Sequence, residues 1–137
     1  MNLFRKIAEM FRKPVPAVTP THEPEPDVLF PGLVTAKMYA AFKPTQRMQA
    51  VMIAGDAVDL KHYTFLKWCV ENDPDADVQF AALKRLPNFK DQEDLRPFLQ
   101  KLDQSAKRLT WEPYLSMALH RTGLIDENDL KSRLNGG

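Results

Sequence analysis

The sequence predicts an all-α protein in which a short stack of helical hairpins follows an amphipathic helix on a proline-rich linker. From Pro31 onward, apolar residues recur at helical spacing, and no period-two alternation is long enough to indicate a strand. Five prolines fall between residues 14 and 26, a density that favours extended polyproline II structure over packed helix. We therefore predict three regions: a helix at 1–13, a linker at 14–27 and a helical domain at 28–137.

The first region is a short basic amphipathic segment. One side of its helical wheel is apolar and the other is polar. The helix is expected to end before Pro14, because a proline cannot continue the helical hydrogen bonds. We predict that this helix binds a partner or a membrane through Leu3, Phe4, Ile7 and Phe11 on the apolar side and Arg5, Lys6, Arg12 and Lys13 on the basic side.

The length of the linker predicts how far that helix can extend from the helical domain. Fully extended at about 3.1 Å per residue, 13 residues of polyproline II structure reach roughly 40 Å. The first helix can therefore act well away from the helical domain.

Seven further helices are predicted, at about 33–42, 45–54, 59–72, 76–86, 92–102, 111–122 and 127–134. Several helix ends have a local signal. Thr45 is expected to cap the second helix, Gly123 to follow the sixth and Asp126 to begin the seventh. Between the third and fourth helices, Asp73, Pro74 and Asp75 form an acidic turn whose carboxylates can accept hydrogen bonds from exposed amides.

An internal repeat is centred on residues 73–102. It has an acidic turn with proline, a helix rich in alanine and leucine, a short turn with an acid and a second helix. The matching positions are Asp73, Pro74, Asp75, Val78, Ala81, Ala82, Leu83, Leu86, Asp91, Leu95, Phe98 and Leu99. This pattern resembles a HEAT-like repeat of the phycobilisome-lyase type.

Weaker copies on both sides extend the repeat over residues 43–134, with Gly55 and Asp56 placed at the turn of the first copy. Both outer copies lack the acidic proline turn. The resemblance implies a short HEAT-like α-hairpin stack, a fragment of an α-solenoid, with outer units that act as caps. Some relatives of this type handle bilin chromophores. We do not carry that activity over, because a shared scaffold does not carry function.

Charge and cysteine content narrow the classes of function. The net charge is +1, but residues 1–13 hold four basic residues and one acid, whereas residues 45–137 hold 13 basic and 14 acidic residues. A domain with balanced charge lacks the basic surface that nucleic-acid binding requires, so nucleic acid is not an expected partner. Cys69 is the only cysteine, which predicts a reducing, cytoplasmic location, at most peripheral to a membrane.

No arrangement of residues predicts catalysis, a cofactor or a metal. Asp73, Asp75 and Asp77 have the alternate spacing that begins a calcium loop, but the glycine and the glutamate that such a loop needs are replaced by Val78 and Lys84. His62 and Cys69 are two helical turns apart, about 10.5 Å, which is too far for proton transfer or a shared metal ion. We expect Cys69 to be a small core residue.

Aromatic and methionine residues follow helical spacing, so most are expected in the core and a minority on the concave face of the stack. Trp68 and Trp111 are the candidates for a binding surface on the stack. Lys84 with Arg85, and Lys107 with Arg108, are most simply solvated helix faces that can also contribute to a partner surface.

The leading hypothesis for function is a non-enzymatic protein–protein adaptor or scaffold. The stack binds one protein while the tethered helix docks in a groove on another, or on a second copy of the chain. One alternative is a peripheral adaptor whose first helix lies on an anionic membrane surface. In a further alternative the first helix folds back onto its own domain. The last alternative is a small enzyme or a bilin-lyase-like protein.

Overall fold

A computed structural model describes residues 30–31 and 35–136, and this part of the chain is all-α. It contains seven α-helices and no strand, which confirms the predicted class. The helices are α1 (Ala36–Ala41), α2 (Pro44–Ala57), α3 (Tyr63–Asn72), α4 (Ala76–Arg85), α5 (Leu95–Asp103), α6 (Tyr114–Arg121) and α7 (Glu127–Leu134). The predicted helix at 1–13 and the linker at 14–27 lie outside the described residues.

Polar side chains begin three of the helices, as local capping chemistry requires. Thr35 accepts a hydrogen bond from the amide of Met38 at the start of α1. Asp75 accepts from the amides of Asp77 and Val78 at the start of α4. Asp126 accepts from the amide of Asp129 at the start of α7. The predicted caps at Asp75 and Asp126 are therefore confirmed.

Two predicted signals around α2 are wrong. Thr45 does not cap this helix, because α2 already begins at Pro44, with Lys43 as the capping residue. Proline suits the first position of a helix, since its missing amide hydrogen would have no helical partner there. Gly55 is not in a turn but inside α2, which continues to Ala57 and ends at the left-handed residue Val58.

Gly55 allows α2 to approach α4 closely. A Cβ atom built on Gly55 would lie 2.5–2.8 Å from three side-chain carbons of Arg85. The Arg85 side chain crosses α2 at this point and its Nε donates to Asp56 over 3.0 Å. The glycine is therefore explained by a contact from another helix instead of by a turn.

The helices contact one another in a regular order. Helix α2 packs on α4, and α4 packs on α6, while α3 packs on both α2 and α4. Helix α6 also contacts α5 and α7. Two ion pairs join α3, α5 and α7: Lys101 to Glu71 at 2.9 Å, and Arg133 to Asp103 at 2.9 Å. Consequently α2, α4 and α6 form a row of helices that touch in series, and ion pairs join α3, α5 and α7.

The core runs through all these contacts and ends in an aromatic cluster near α1. Leucines from α3 to α6 contribute to it, including Leu66, Leu83, Leu99 and Leu115, all fully buried. At the α1 end, the Phe30 ring lies 5.2 Å from the Tyr39 ring, 5.1 Å from Phe65 and 5.6 Å from Trp68. Phe30 therefore fixes the start of the described domain against α1 and α3.

Candidate functional site

A buried polar cluster lies where α1, α2 and the turn after α3 meet. The carboxylate of Asp73 is fully buried and forms an ion pair with Arg47 at 3.0 Å. The same carboxylate oxygen accepts from the Tyr39 hydroxyl at 2.6 Å, and the second oxygen accepts from the amide of Asp75 at 2.9 Å. Arg47 also donates to the carbonyl of Phe42 at 2.5 Å. A charge removed from water is thus paired and hydrogen-bonded on both of its oxygens.

This cluster is arranged for structure instead of nucleophilic chemistry. The Tyr39 hydroxyl lies 3.4 Å from the sulfur of Cys69. Burial raises the pKa of the Cys69 thiol, and burial together with Cys69 and Asp73 raises the pKa of the Tyr39 phenol. Both groups are therefore protonated at neutral pH, whereas a reactive cysteine needs its thiolate.

A cavity of about 330 Å³ opens beside this cluster. We call it the Trp68 cavity. Its described lining is mainly apolar and consists of Ala36, Tyr39, Ala40, Arg47, Trp68, Asn72 and Pro74. Arg47 is only 7% exposed and is held by Asp73, so it forms part of a fixed wall. The cavity is therefore a preformed recess between α1, α3 and the start of α4.

A second recess of about 300 Å³ lies over α4, between α2 and α6. We call it the α4 groove. It is lined by Met48, Met52, Asp77, Phe80, Ala81, Lys84, Arg85 and Tyr114. The Phe80 and Tyr114 rings are 4.7 Å apart, and the ammonium group of Lys84 lies 5.3 Å from the centre of the Tyr114 ring. Met52 is 38% exposed, so an apolar wall of the groove faces solvent.

The two tryptophan candidates have different positions. Trp68 is half-buried and lines the Trp68 cavity, so it is accessible from that recess. Trp111 is 4% exposed, and its indole nitrogen donates to Gln79 at 3.0 Å. The predicted surface role of Trp111 is therefore wrong, because its ring packs inward from the turn before α6.

The other candidate binding residues lie outside the described part of the chain. These are Leu3, Phe4, Arg5, Lys6, Ile7, Phe11, Arg12 and Lys13. The expectation for Cys69 is confirmed, since its side chain is fully buried.

The acidic residues of the turn before α4 have structural partners. Asp73 pairs with Arg47, and Asp75 caps α4. This confirms their interpretation as a helix-capping turn. Within residues 30–31 and 35–136, no three His, Cys, Asp or Glu side chains are grouped closely enough to hold a metal ion.

In the described ranges, none of the seven helices combines the length and the apolar content that crossing a bilayer requires.

Comparison of the chain with protein-family models, with curated proteins and with solved structures found no match.

The sequence alone did not identify Tyr39 and Arg47 as a pair around Asp73. These residues are separated from Asp73 by 34 and 26 positions, and nothing local marks the contact. The one signal in the sequence is that Arg47 stands about one helical turn before Val51, which the structure shows to be fully buried. A buried arginine requires a carboxylate or several carbonyl groups nearby.

Proposed function

We propose that this protein is a non-enzymatic adaptor that binds one partner protein in the α4 groove and presents residues 1–13 to a second. The observation that carries the proposal is the groove itself, an exposed apolar recess on the row formed by α2, α4 and α6. Neighbouring helices in a hairpin stack commonly create such extended binding surfaces.

Part of the pattern of helix contacts supports a HEAT-like arrangement of this row. Helices α2, α4 and α6 touch in series, and the consecutive pairs α2–α3 and α6–α7 pack together, whereas α5 packs on α6. The best-matching repeat, residues 73–102, supplies α4, which forms the floor of the groove. Val78, Ala82 and Leu83 of that repeat are fully buried, which leaves Asp77, Phe80 and Lys84 to face the groove.

The side chains of the groove define the chemistry of the partner. Methionines are unbranched and polarizable, so Met48 and Met52 can fit several apolar shapes. Phe80 and Tyr114 add an aromatic surface, and aromatic residues supply much of the energy at protein interfaces. Lys84 and Asp77 form no ion pair among the described residues, and both are exposed. We therefore expect a protein segment with an apolar anchor, an acid that reaches Lys84 and a base that reaches Asp77.

A membrane surface is the second candidate for residues 1–13. Arg5, Lys6, Arg12 and Lys13 stand opposite an apolar side in the sequence pattern, which suits an anionic interface. Flotation of the full chain with vesicles of phosphatidylserine and phosphatidylcholine tests this role. Binding that the Phe4→Glu, Phe11→Glu variant loses would support it, whereas no flotation of the wild-type chain would exclude it.

Site-specific photo-cross-linking tests the proposed partner groove. A photoreactive residue is placed at Met52 in the groove, or at the exposed Thr64 on α3 as a matched control, in the full chain. Cross-linked peptides from native extract are identified by mass spectrometry. We expect one protein segment to be captured reproducibly from position 52 and not from position 64. Equal capture from both positions, or none from position 52, would contradict the proposal.

A further inference from the structure

The Trp68 cavity lies where the N-terminal part of the chain enters the domain. The Phe30 ring packs against Tyr39 and Trp68, and these two residues also line the cavity. Residues 1–29 therefore join the domain beside the cavity. Any segment carried by that part of the chain is held close to this recess.

The length of the intervening chain permits a return to the cavity. Residues 14–29 separate the amphipathic segment from Phe30. At about 3.1 Å per residue these sixteen residues reach roughly 50 Å, far more than the few ångströms between Phe30 and the cavity wall. The contour length is therefore sufficient for a return to the cavity, and the return requires the linker to bend.

The size and lining of the cavity match the apolar side of residues 1–13. Its volume is about 330 Å³, roughly twice that of a cavity of about 150 Å³ that holds one benzene ring. There is room for a phenylalanine ring and a second apolar side chain. Phe4 and Ile7 are one helical turn apart in the predicted helix, so both can enter together. Ala36, Ala40 and Pro74 offer small apolar walls, and Trp68 offers an aromatic face.

The charge of the described lining is compatible with the same occupant. Its one cation among the described residues, Arg47, is paired with Asp73. Lys37 lies on α1 and Lys43 precedes α2, but neither lines the cavity. The described wall therefore presents no unpaired cation to the basic side of residues 1–13.

We propose that the Trp68 cavity is an intramolecular receptor for residues 1–13, with Phe4 and Ile7 as the buried anchors. The docked segment withholds its apolar side from other surfaces, and a partner must compete with the cavity to bind it. This inference concerns the same helix as the proposed function, but it requires no partner. Its failure would leave the α4 groove proposal untouched.

Paramagnetic relaxation in the full chain tests the docking. An Asn2→Cys variant carries a nitroxide label on the polar side of the segment, and Cys69 does not compete for the label because it is fully buried. We expect the amide signals of Ala40 and Asn72 to broaden at least threefold more than those of Leu130 and Lys131 on α7. Equal broadening, or none, would overturn the proposal.

Matched variants identify the contact. Ala40→Glu places a charge in the cavity wall at an exposed position and should abolish the selective broadening, as should Phe4→Glu with Ile7→Glu. Lys37→Glu, on the same helix but outside the cavity lining, should leave it intact. Loss with Lys37→Glu, or persistence with Ala40→Glu, would show that another surface holds the segment.

A mixed sample separates a contact within one chain from a contact between two copies. Labelled chains without nitrogen-15 are mixed with unlabelled chains that contain it. We expect no broadening in this mixture. In the chain that carries both the nitroxide label and nitrogen-15, we expect the broadening to be independent of protein concentration. Broadening in the mixture would assign the cavity to the segment of a second copy and overturn the intramolecular proposal.

Discussion

The Trp68 cavity and the α4 groove are similar in size but different in construction. Their volumes are about 330 and 300 Å³. The cavity wall is fixed by the buried Tyr39–Asp73–Arg47 cluster, in which every group has a partner. The groove wall combines the unbranched Met48 and Met52 with the Phe80 and Tyr114 rings and the exposed Lys84.

This difference indicates two kinds of recognition. A wall held by buried hydrogen bonds keeps one shape, which suits a single occupant that belongs to the same chain. A wall that includes methionines can repack around different ligands, which suits partners from outside the chain. Experiments that perturb one recess and leave the other unchanged can therefore test whether the two recesses are independent.

The largest effect on stability is expected from removing the Asp73 carboxylate beside the Trp68 cavity. Asp73→Ala leaves the guanidinium of Arg47 buried without its carboxylate, and removing one member of a buried pair costs about 3–5 kcal/mol. We expect the free energy of unfolding in urea to fall by that amount. Asp77→Ala, an exposed carboxylate at the groove, should change it by less than about 0.5 kcal/mol. Equal effects would mean that the cluster does not fix the cavity wall.

A smaller effect is expected where α2 crosses α4 beside the groove. Gly55→Ala forces a methyl group against the Arg85 side chain, so the two helices must separate. Overpacking of this kind costs about 1–3 kcal/mol.

Thermal unfolding with amide chemical-shift mapping measures this effect. The shift changes should concentrate around Met52 and Arg85 and spare Ala36 and Trp68. Changes centred on the Trp68 cavity would contradict a separation of the two recesses.

The smallest effect on stability is expected at the partly exposed ion pair between Arg133 and Asp103. The hydrogen bond from Arg133 lowers the pKa of Asp103 in the folded chain, and these side chains are 26% and 24% exposed. A depressed pKa stabilises the fold above the unfolded pKa of about 3.9. That contribution is lost as pH falls through the folded value.

Comparison of wild type with Asp103→Asn measures this contribution. We expect a destabilisation of about 1 kcal/mol or less at pH 7. The difference in the free energy of unfolding should shrink as pH falls from 6 toward 2.5. A difference that stays constant over this range would show that the ionised pair is not its source.

The parts of the fold that local sequence determines were predictable. All seven helices follow from apolar periodicity, and the Asp75 and Asp126 caps follow from side chains next to the amides that they bind. Gly123 has a positive φ of 81° after α6, as its position indicated. These features depend on residues a few positions apart.

Contacts between distant segments could not be predicted. The sequence pattern places Gly55 in a turn, whereas the structure packs it against Arg85, thirty positions away. The spacing of Trp111 makes it a candidate for surface binding, whereas its indole nitrogen donates to Gln79, 32 positions away. The wall of each recess also combines side chains from three segments of the chain. The sequence shows these residues, but it does not show that the fold brings them together.

The most direct test of the account is the affinity of the α4 groove for the segment captured by cross-linking. Isothermal titration of the full chain with that purified segment would compare wild type, Met52→Glu and Thr64→Glu. We expect Met52→Glu to raise Kd at least about tenfold, or about 1.4 kcal/mol, and Thr64→Glu to change it less than about twofold. An unchanged Kd for Met52→Glu, or an equal loss for both variants, would contradict a partner-binding groove over α4.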